Sequence, residues 1–191
     1  MPDEAEAELL PLFLKLEGRD VLVVGAGEIA LRKIEALVQA RARVRVVAPD
    51  ATEGVKLLAQ QGRVAWSQRG FEEADADGAW LVVAATSDAQ VQVRAAAAAE
   101  GRHVFCLAVD DPANASAYSG AVVRRPPFAI AISSGGATPA LTRLVREIVE
   151  QALPGDEWVE HARKLRDRWQ KEGTPMADRF AQLLRELKAR T

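Results

Sequence analysis

The groups able to do chemistry in this 191-residue chain fall into three short stretches, each at a predicted change of secondary structure. The first is Val-Leu-Val-Val-Gly-Ala-Gly-Glu-Ile-Ala at residues 21–30, an apolar run that meets two glycines and passes into helix-forming sequence. That order predicts a buried strand, a tight turn and a helix, the arrangement that cradles a dinucleotide pyrophosphate. Gly25 permits the turn, Gly27 removes a side chain that would block a phosphate, and Ala30 replaces a third glycine where the helix lies close to the sheet. The N–H groups near Glu28 and Ile29, with Ala26 in the turn, then face the phosphates. The second predicted strand ends at Ala48-Pro49-Asp50, where Asp50 either holds a ribose hydroxyl or caps the next helix. No Arg stands beyond that strand end to meet a 2′-phosphate, which favours NAD over NADP.

The second stretch is a pair of strand ends. Thr86-Ser87-Asp88 follows the apolar run Trp80 to Ala85, and Asp110-Asp111-Pro112 follows Val104 to Val109. Small polar residues there either cap the next helix or line a cofactor crevice, and both can hold at once. The two aspartates read either as a turn or cap, or as a general base or an acceptor for a metal ion. The third stretch, Ser133-Ser134-Gly135-Gly136-Ala137-Thr138-Pro139, precedes a helical pattern with Arg143 and Arg146 just inside it. It reads equally as a second anion site or as a plain helix start with Thr138 as N-cap.

The elements needed to position these groups follow from the spacing of apolar residues. Leu12 to Leu16 and Asp20 to Val24 flank Glu17-Gly18-Arg19, which predicts a short strand folding back on the first glycine-bearing strand as a hairpin. Helices are predicted from Glu28, with Ala30, Ile34, Leu37 and Val38 on one face, over 51–61, and over 89–100 with an Ala-rich second half. Strands are predicted over 44–48, 64–67, 80–85 and 104–109, so the alternation implies a mostly parallel, doubly wound sheet. The pattern then changes. Ala117 to Val123 and Phe128 to Ser133 predict a hairpin joined through Arg124-Arg125-Pro126-Pro127. Leu141, Leu144, Val145, Ile148 and Ala152 mark a helix, Pro154-Gly155 a linker, and two helices close the chain. One carries Trp158, Ala162, Leu165 and Trp169 on a face, and the other carries Met176, Phe180, Leu183 and Leu187.

Composition narrows the function classes. Apolar residues make up 49% of the chain, enough for a proper core, and 25 basic against 27 acidic residues leave a formal charge of −2. That balance points to neither nucleic acid nor an anionic membrane surface, so any acidic ligand must meet local basic clusters. The acidic start lacks a signal-peptide pattern, and no apolar run is long enough to cross a bilayer. The single cysteine, Cys106, excludes an internal disulfide and fits a reducing, cytoplasmic setting as a buried thiol. His103 and His161 lack metal-ligand spacing.

Taken in order, Leu-Pro-Leu-Phe-Leu-Lys-Leu, Val-Val-Gly-Ala-Gly-Glu-Ile-Ala-Leu-Arg-Lys, Val-Val-Ala-Pro, Ala-Ala-Thr-Ser-Asp, Val-Asp-Asp-Pro and Ile-Ala-Ile-Ser-Ser-Gly-Gly-Ala-Thr-Pro-Ala-Leu resemble the precorrin-2 dehydrogenase family, including the N-terminal module of siroheme synthase and its free-standing relatives. The likeness runs from Leu10 to Leu153 and, more loosely, into the final helices. It implies an α/β fold: an NAD-binding Rossmann domain over 1–113, a dimerisation region of hairpin and helix over 114–153, and a C-terminal helical domain over 154–191. It also implies a homodimer that oxidises precorrin-2 to sirohydrochlorin with NAD, and in several members inserts ferrous iron. The family's aspartate for proton removal or metal handling falls on Asp110, its phosphorylatable serine on Ser134, and cofactor contacts on Glu28, Ile29, Pro49 and Asp50. Thr86, Ser87 and Asp88 join the expected cofactor contacts, and Ser133, Ser134, Gly135, Gly136, Thr138, Arg143 and Arg146 are the expected contacts of the acidic tetrapyrrole. Arg124 and Arg125 gain the same rationale from the substrate's carboxylates. Two positions depart from the family pattern: the Asn of Asn-x-x-Asp is Leu107, and the Asn of the helix after Thr-x-Asp is Gln92. The methyltransferase domain of the fused synthases has no counterpart in this sequence, so methylation is expected on another protein. Leu107 favours the rival expectation, a non-catalytic NAD(H)-responsive or tetrapyrrole-binding Rossmann dimer.

Overall fold

The computed structural model describes residues 9–135, 138–153 and 155–188, which form two compact units meeting in sequence at Ser119 and Gly120. The first unit runs β1 (Asp20–Val24), α1 (Glu28–Gln39), β2 (Arg43–Val47), α2 (Glu53–Gln60), β3 (Val64–Ser67), β4 (Leu81–Ala84), α3 (Ala89–Glu100) and β5 (Phe105–Ala108). Single 3-10 turns lie at Glu73–Ala76 and Pro112–Asn114. The five strands are parallel in the order β3-β2-β1-β4-β5. The chain therefore reverses its direction of winding between β1 and β4, the switch point at which such sheets bind ligands.

β1 and β4 are continuous apolar runs because helices cover both sheet faces. On one face Val21, Val23, Val44, Val46 and Val83 pack with Ala30, Ile34 and Leu37 of α1 and Val55 of α2. On the other, Leu22, Val24, Val82, Ala84 and Cys106 meet Ala95, Ala96, Ala98 and Ala99 of α3, whose short side chains let that helix lie close. At about 25 cal/mol per Å² of apolar surface, each buried Val or Leu contributes roughly 1.5–3 kcal/mol before entropy is counted.

The N-terminal hairpin does not form. Residues 9–16 make no strand, although the turn survives as the Arg19 N–H to Leu16 carbonyl bond. The physical reason is that β1 lies inside the sheet, hydrogen-bonded to β2 on one edge and β4 on the other, so no edge remains for a third partner. Leu10, Leu12 and Phe13 consequently stand exposed, and Leu16 alone of the predicted strand is buried.

The second unit holds an antiparallel pair, β6 (Ala121–Arg125) and β7 (Phe128–Ile132), followed by α4 (Pro139–Ala152), α5 (Asp156–Glu172) and α6 (Met176–Lys188). Arg124 and Arg125 extend β6 rather than joining the strands, leaving the turn to Pro126-Pro127. Among its described residues the buried apolar ones are Val123, Leu165 and Trp169. Trp169 Nε1 donates to Gln182 Oε1 at 2.6 Å, and Arg168 pairs with Glu186 at 3.1 Å, so α5 and α6 are tied by polar bonds at the edge of a small core. The stripe on α6 is only partly used: Met176 and Phe180 are exposed, Leu183 is half-buried, and the Leu187 side chain lies outside the described set. Among the described residues no helix is long and apolar enough to cross a membrane.

Candidate functional site

The carboxyl ends of β1, β2, β4 and β5 carry the groups that matter. Gly25 follows β1 with φ +107°, and its N–H donates to the Val47 carbonyl at 2.9 Å, joining the turn to β2. A Cβ there would strike the Ala85 carbonyl oxygen, with the Ala85 carbonyl carbon 2.7 Å away, so the position requires glycine on two independent counts. Gly27 differs. A Cβ on it would enter open space, so the fold itself does not demand glycine there, and the absent side chain leaves room beside the turn. Gly27 is the N-cap of α1 and offers no side-chain cap, while its carbonyl accepts from the Leu31 N–H at 2.8 Å. The amides of Glu28, Ile29 and Ala30 precede the first intrahelical donor and point out of the helix start. Glu28 and Ile29 are exposed there; Ala30 is fully buried beneath them. Free amides at a helix start behind a glycine turn fit the pyrophosphate of a nicotinamide dinucleotide.

Beside it, the Thr52 N–H donates to the Ala26 carbonyl at 3.0 Å, fastening the start of α2 to the turn. Thr52 is the N-cap of α2, so the alternative in which Asp50 caps that helix is not realised. The Asp50 carboxylate instead accepts from the neighbouring Ala51 N–H at 2.8 Å, and Pro49 and Asp50 both stand exposed at the end of β2. Thr52 Oγ1 is buried without a hydrogen-bond partner among the described residues, an orphan polar atom close to the turn.

At the end of β4, Asp88 caps α3 by accepting from the Gln90 and Val91 N–H groups at 2.9 and 3.2 Å. Thr86 Oγ1 accepts from the Asp88 N–H at 3.2 Å, and the exposed Ser87 hydroxyl makes no hydrogen bond among the described residues. The two aspartates beyond β5 separate cleanly. Asp111 is half-buried and accepts from Asn114 Nδ2 at 2.7 Å, the structural role of a turn residue. Asp110 is exposed, takes no hydrogen bond among the described residues, and adopts φ +57°. The other non-glycine residues at positive φ, Arg41 and His103, sit in turns closing helices. Asp110 sits at a strand end, where an aspartate in this region costs on the order of 1 kcal/mol.

Gln92 explains how Asp110 is held. It is buried in α3 and donates from Nε2 to the Val109 carbonyl at 2.8 Å, immediately before Asp110. The Val109 N–H donates to the Ala84 carbonyl at 2.9 Å, so the backbone ahead of Asp110 is fixed from α3 and from β4. Leu107 is half-buried and packs against the α1-side core. In the sequence Gln92 is a departure from the family pattern, and its signal is a long amide in a helix whose sheet-facing residues are otherwise small and apolar. Cys106 is buried in the opposite core, and burial pushes its thiol up to about 11, which removes it as a nucleophile at neutral pH.

In the second unit, Ser133 Oγ accepts from the Gly135 N–H at 3.1 Å, and Ser134 Oγ accepts from the Thr138 N–H at 3.2 Å and from Thr142 Oγ1 at 2.8 Å. Two of the amides that could have met an anion are thus satisfied internally, and Gly136 lies outside the described residues. Thr138 is the N-cap of α4 with Pro139 at the first helical position, without a side-chain cap bond. Arg143 pairs with Glu147 at 3.0 Å and Arg146 with Glu150 at 2.6 Å, one helical turn apart. Among the described residues no three His, Cys, Asp or Glu side chains gather as a metal site.

With this geometry in place, comparison with known proteins assigns the scaffold. The siroheme synthase of Citrobacter koseri is 39% identical over 172 residues, covering 89% of this chain and 38% of that protein. Siroheme synthase 1 of Aeromonas hydrophila subsp. hydrophila is 41% identical over 147 residues, 77% of this chain and 32% of that one. The chain therefore spans about a third of the length of these relatives. A solved structure of SirC, precorrin-2 dehydrogenase, superposes with a TM-score of 0.76 over 93% of this chain and 88% of that chain at 23% identity, a likeness of fold. Residues 12–121 match the family model described as "Putative NAD(P)-binding", well over half of the chain and nearly all of the first unit, and the chain belongs to that NAD(P)-binding family.

Proposed function

We propose that the protein oxidises precorrin-2 to sirohydrochlorin with NAD as acceptor. Bound NAD supplies the hydride acceptor, and the overall change is precorrin-2 and NAD+ to sirohydrochlorin, NADH and a proton. The observation that carries the reading is the pairing of the glycine turn with Asp110, a carboxylate that is exposed and without a hydrogen bond among the described residues, held at φ +57° behind the Gln92 tether at the carboxyl edge of the same sheet. In this reading Gly25, Ala26, Gly27, Glu28, Ile29 and Ala30 hold the pyrophosphate, Pro49 and Asp50 the ribose, and Thr86, Ser87 and Asp88 line the crevice. Asp110 takes the proton that leaves the macrocycle. The exposed Asp50 carboxylate, with no Arg in its turn, supports NAD over NADP.

Ser133, Ser134, Gly135, Gly136, Thr138, Arg143 and Arg146 are proposed contacts for the substrate's acidic groups, and the region over 114–153 is proposed to dimerise. Support for the dimer comes from α4, where Leu141, Leu144 and Ile148 are 55%, 53% and 56% exposed along one face. Likeness to siroheme synthases, an NAD(P)-binding fold and a buried reduced thiol at Cys106 support a cytoplasmic enzyme of siroheme synthesis.

Supplying precorrin-2 and NAD should give NADH, followed by absorbance. Asp110→Ala should keep NADH binding and lose turnover, and no NADH from the wild-type chain sinks the reading. Leu107, apolar where the family pattern has a polar residue, favours a second reading: a dimer that binds NAD(H) or a tetrapyrrole without turnover. Tight NADH binding with no oxidation of any tetrapyrrole is its signature. Ferrous iron insertion would rest on Asp110 and the macrocycle's own nitrogens; faster metallation of sirohydrochlorin with the protein than without it is the measure of that activity.

A further inference from the structure

Half of the basic side chains of the first unit are held in ion pairs. Arg41, Arg43, Lys56, Arg69, Arg94 and Arg102 each meet a carboxylate at ion-pair distance. Lys33 does not. It is half-buried on α1, and among the described residues its Nζ donates to the Ser119 hydroxyl at 2.5 Å and meets no carboxylate as an ion pair. Withdrawing an ammonium from water without a counter-ion is unfavourable, and burial accordingly holds the Lys33 amine below its ordinary range, with Arg32 adding to the effect and Asp110 opposing it. The Asp110 contribution also places that carboxylate near enough to be felt.

The position of Lys33 on its helix gives the unpaired charge a use. It lies one turn beyond Ile29, on the same face as an expected cofactor contact, and a helical side chain leans toward the N-terminus, here the ligand end of the sheet. Leu107 and Val109, which lead into Asp110, pack on the same sheet face as α1. Lys33 and Asp110 thus converge on one corner of the crevice, and among the described residues the ammonium's hydrogen-bond partner is a neutral hydroxyl.

Resting on the proposed function, we infer that Lys33 is a substrate-binding residue: its ammonium, steadied by Ser119, takes a carboxylate of the polyacidic macrocycle beside Asp110. A charge-assisted hydrogen bond from a partly buried ammonium gives about tenfold or more in affinity, and its loss shallows the salt dependence of binding.

The test is titration of the full chain with sirohydrochlorin at several salt concentrations, for wild type, Lys33→Met, Lys33→Arg and Ser119→Ala, with NADH affinity and Tm measured on each. The expected result is at least about tenfold weaker sirohydrochlorin binding in Lys33→Met, with a flatter salt response, unchanged NADH affinity and an unchanged or higher Tm. Lys33→Arg should stay within about threefold of wild type. Wild-type affinity in Lys33→Met overturns the inference and leaves the proposed function standing. An equal loss in Lys33→Met and Ser119→Ala with a lowered Tm in both overturns it in favour of a structural tie. No sirohydrochlorin binding by the wild-type chain overturns the proposed function, and this inference falls with it.

Discussion

In the first unit β1 buries Val21 to Val24 almost completely, whereas α4 in the second unit, with apolar residues just as regularly spaced, buries none. The two cases separate what a periodic pattern means. β1 is covered from both faces by α1 and α3 of its own unit, so its site is a matter of backbone: a glycine whose Cβ has no room and a helix start with free amides. α4 keeps an exposed apolar stripe, and its polar groups are occupied by each other, Arg143 with Glu147 and Arg146 with Glu150. One region covers its own apolar residues; the other leaves an apolar stripe exposed.

The sharpest way to break that contrast is the glycine pair. Gly25→Val should cost roughly 3 kcal/mol or more, from left-handed backbone and collision with the Ala85 carbonyl together, and should abolish NADH binding. Gly27→Val should leave the denaturation midpoint near wild type and weaken NADH about tenfold or more, because its Cβ meets ligand space only. Equal loss of stability in both variants would remove the distinction between a fold glycine and a ligand glycine.

The next effect is on association. Leu144→Glu should weaken dimerisation by about 2 kcal/mol, seen as monomer in sedimentation, while NADH binding by the first unit persists. A dimer that survives this change places the interface elsewhere. Gln92→Leu should then cost about 1–3 kcal/mol by leaving the Val109 carbonyl without its partner, and should lower turnover more than NADH affinity. Turnover that follows stability alone would mean the tether does not place Asp110.

The smallest effect concerns Asp75, outside the site. The Arg69 guanidinium, bonded to both carboxylate oxygens at 2.5 and 2.9 Å, holds the Asp75 carboxyl below the usual carboxylate range, aided by the Glu72 N–H. A depressed folded-state value stabilises the fold above the pH at which the unfolded carboxyl titrates, about pH 4, and that contribution is lost as pH falls through the lower folded value. Asp75→Asn should therefore lower Tm by a few degrees at neutral pH, and the gap to wild type should close in acid. A gap that widens in acid reverses the sign and discards the pair as its cause.

Much of this was legible in the residues. The αβ alternation, the glycine turn and the limits of β3 and α3 came from local periodicity and turn chemistry, which act within a few residues of themselves. The missed elements are those in which distant residues compete. The strand over Leu12 to Leu16 read well locally but failed because β2 and β4 already occupy both edges of β1. Met176 and Phe180 were placed correctly on a helical face, yet exposure depends on what that face meets.

By itself the sequence determined the doubly wound first unit, the two-glycine cradle and the presence of a carboxylate beyond β5, because each is encoded by neighbours in the chain. Only the tertiary structure engaged Asp111 with Asn114 and left Asp110 without a hydrogen bond among the described residues, turned Gln92 from an odd residue into a tether on the Val109 carbonyl, and gave half-buried Lys33 a hydroxyl partner and no ion pair among the described residues. Those outcomes depend on which side chains from α1, α3 and the ends of β4 and β5 reach the same few ångströms, and that convergence has no signature in spacing along the chain.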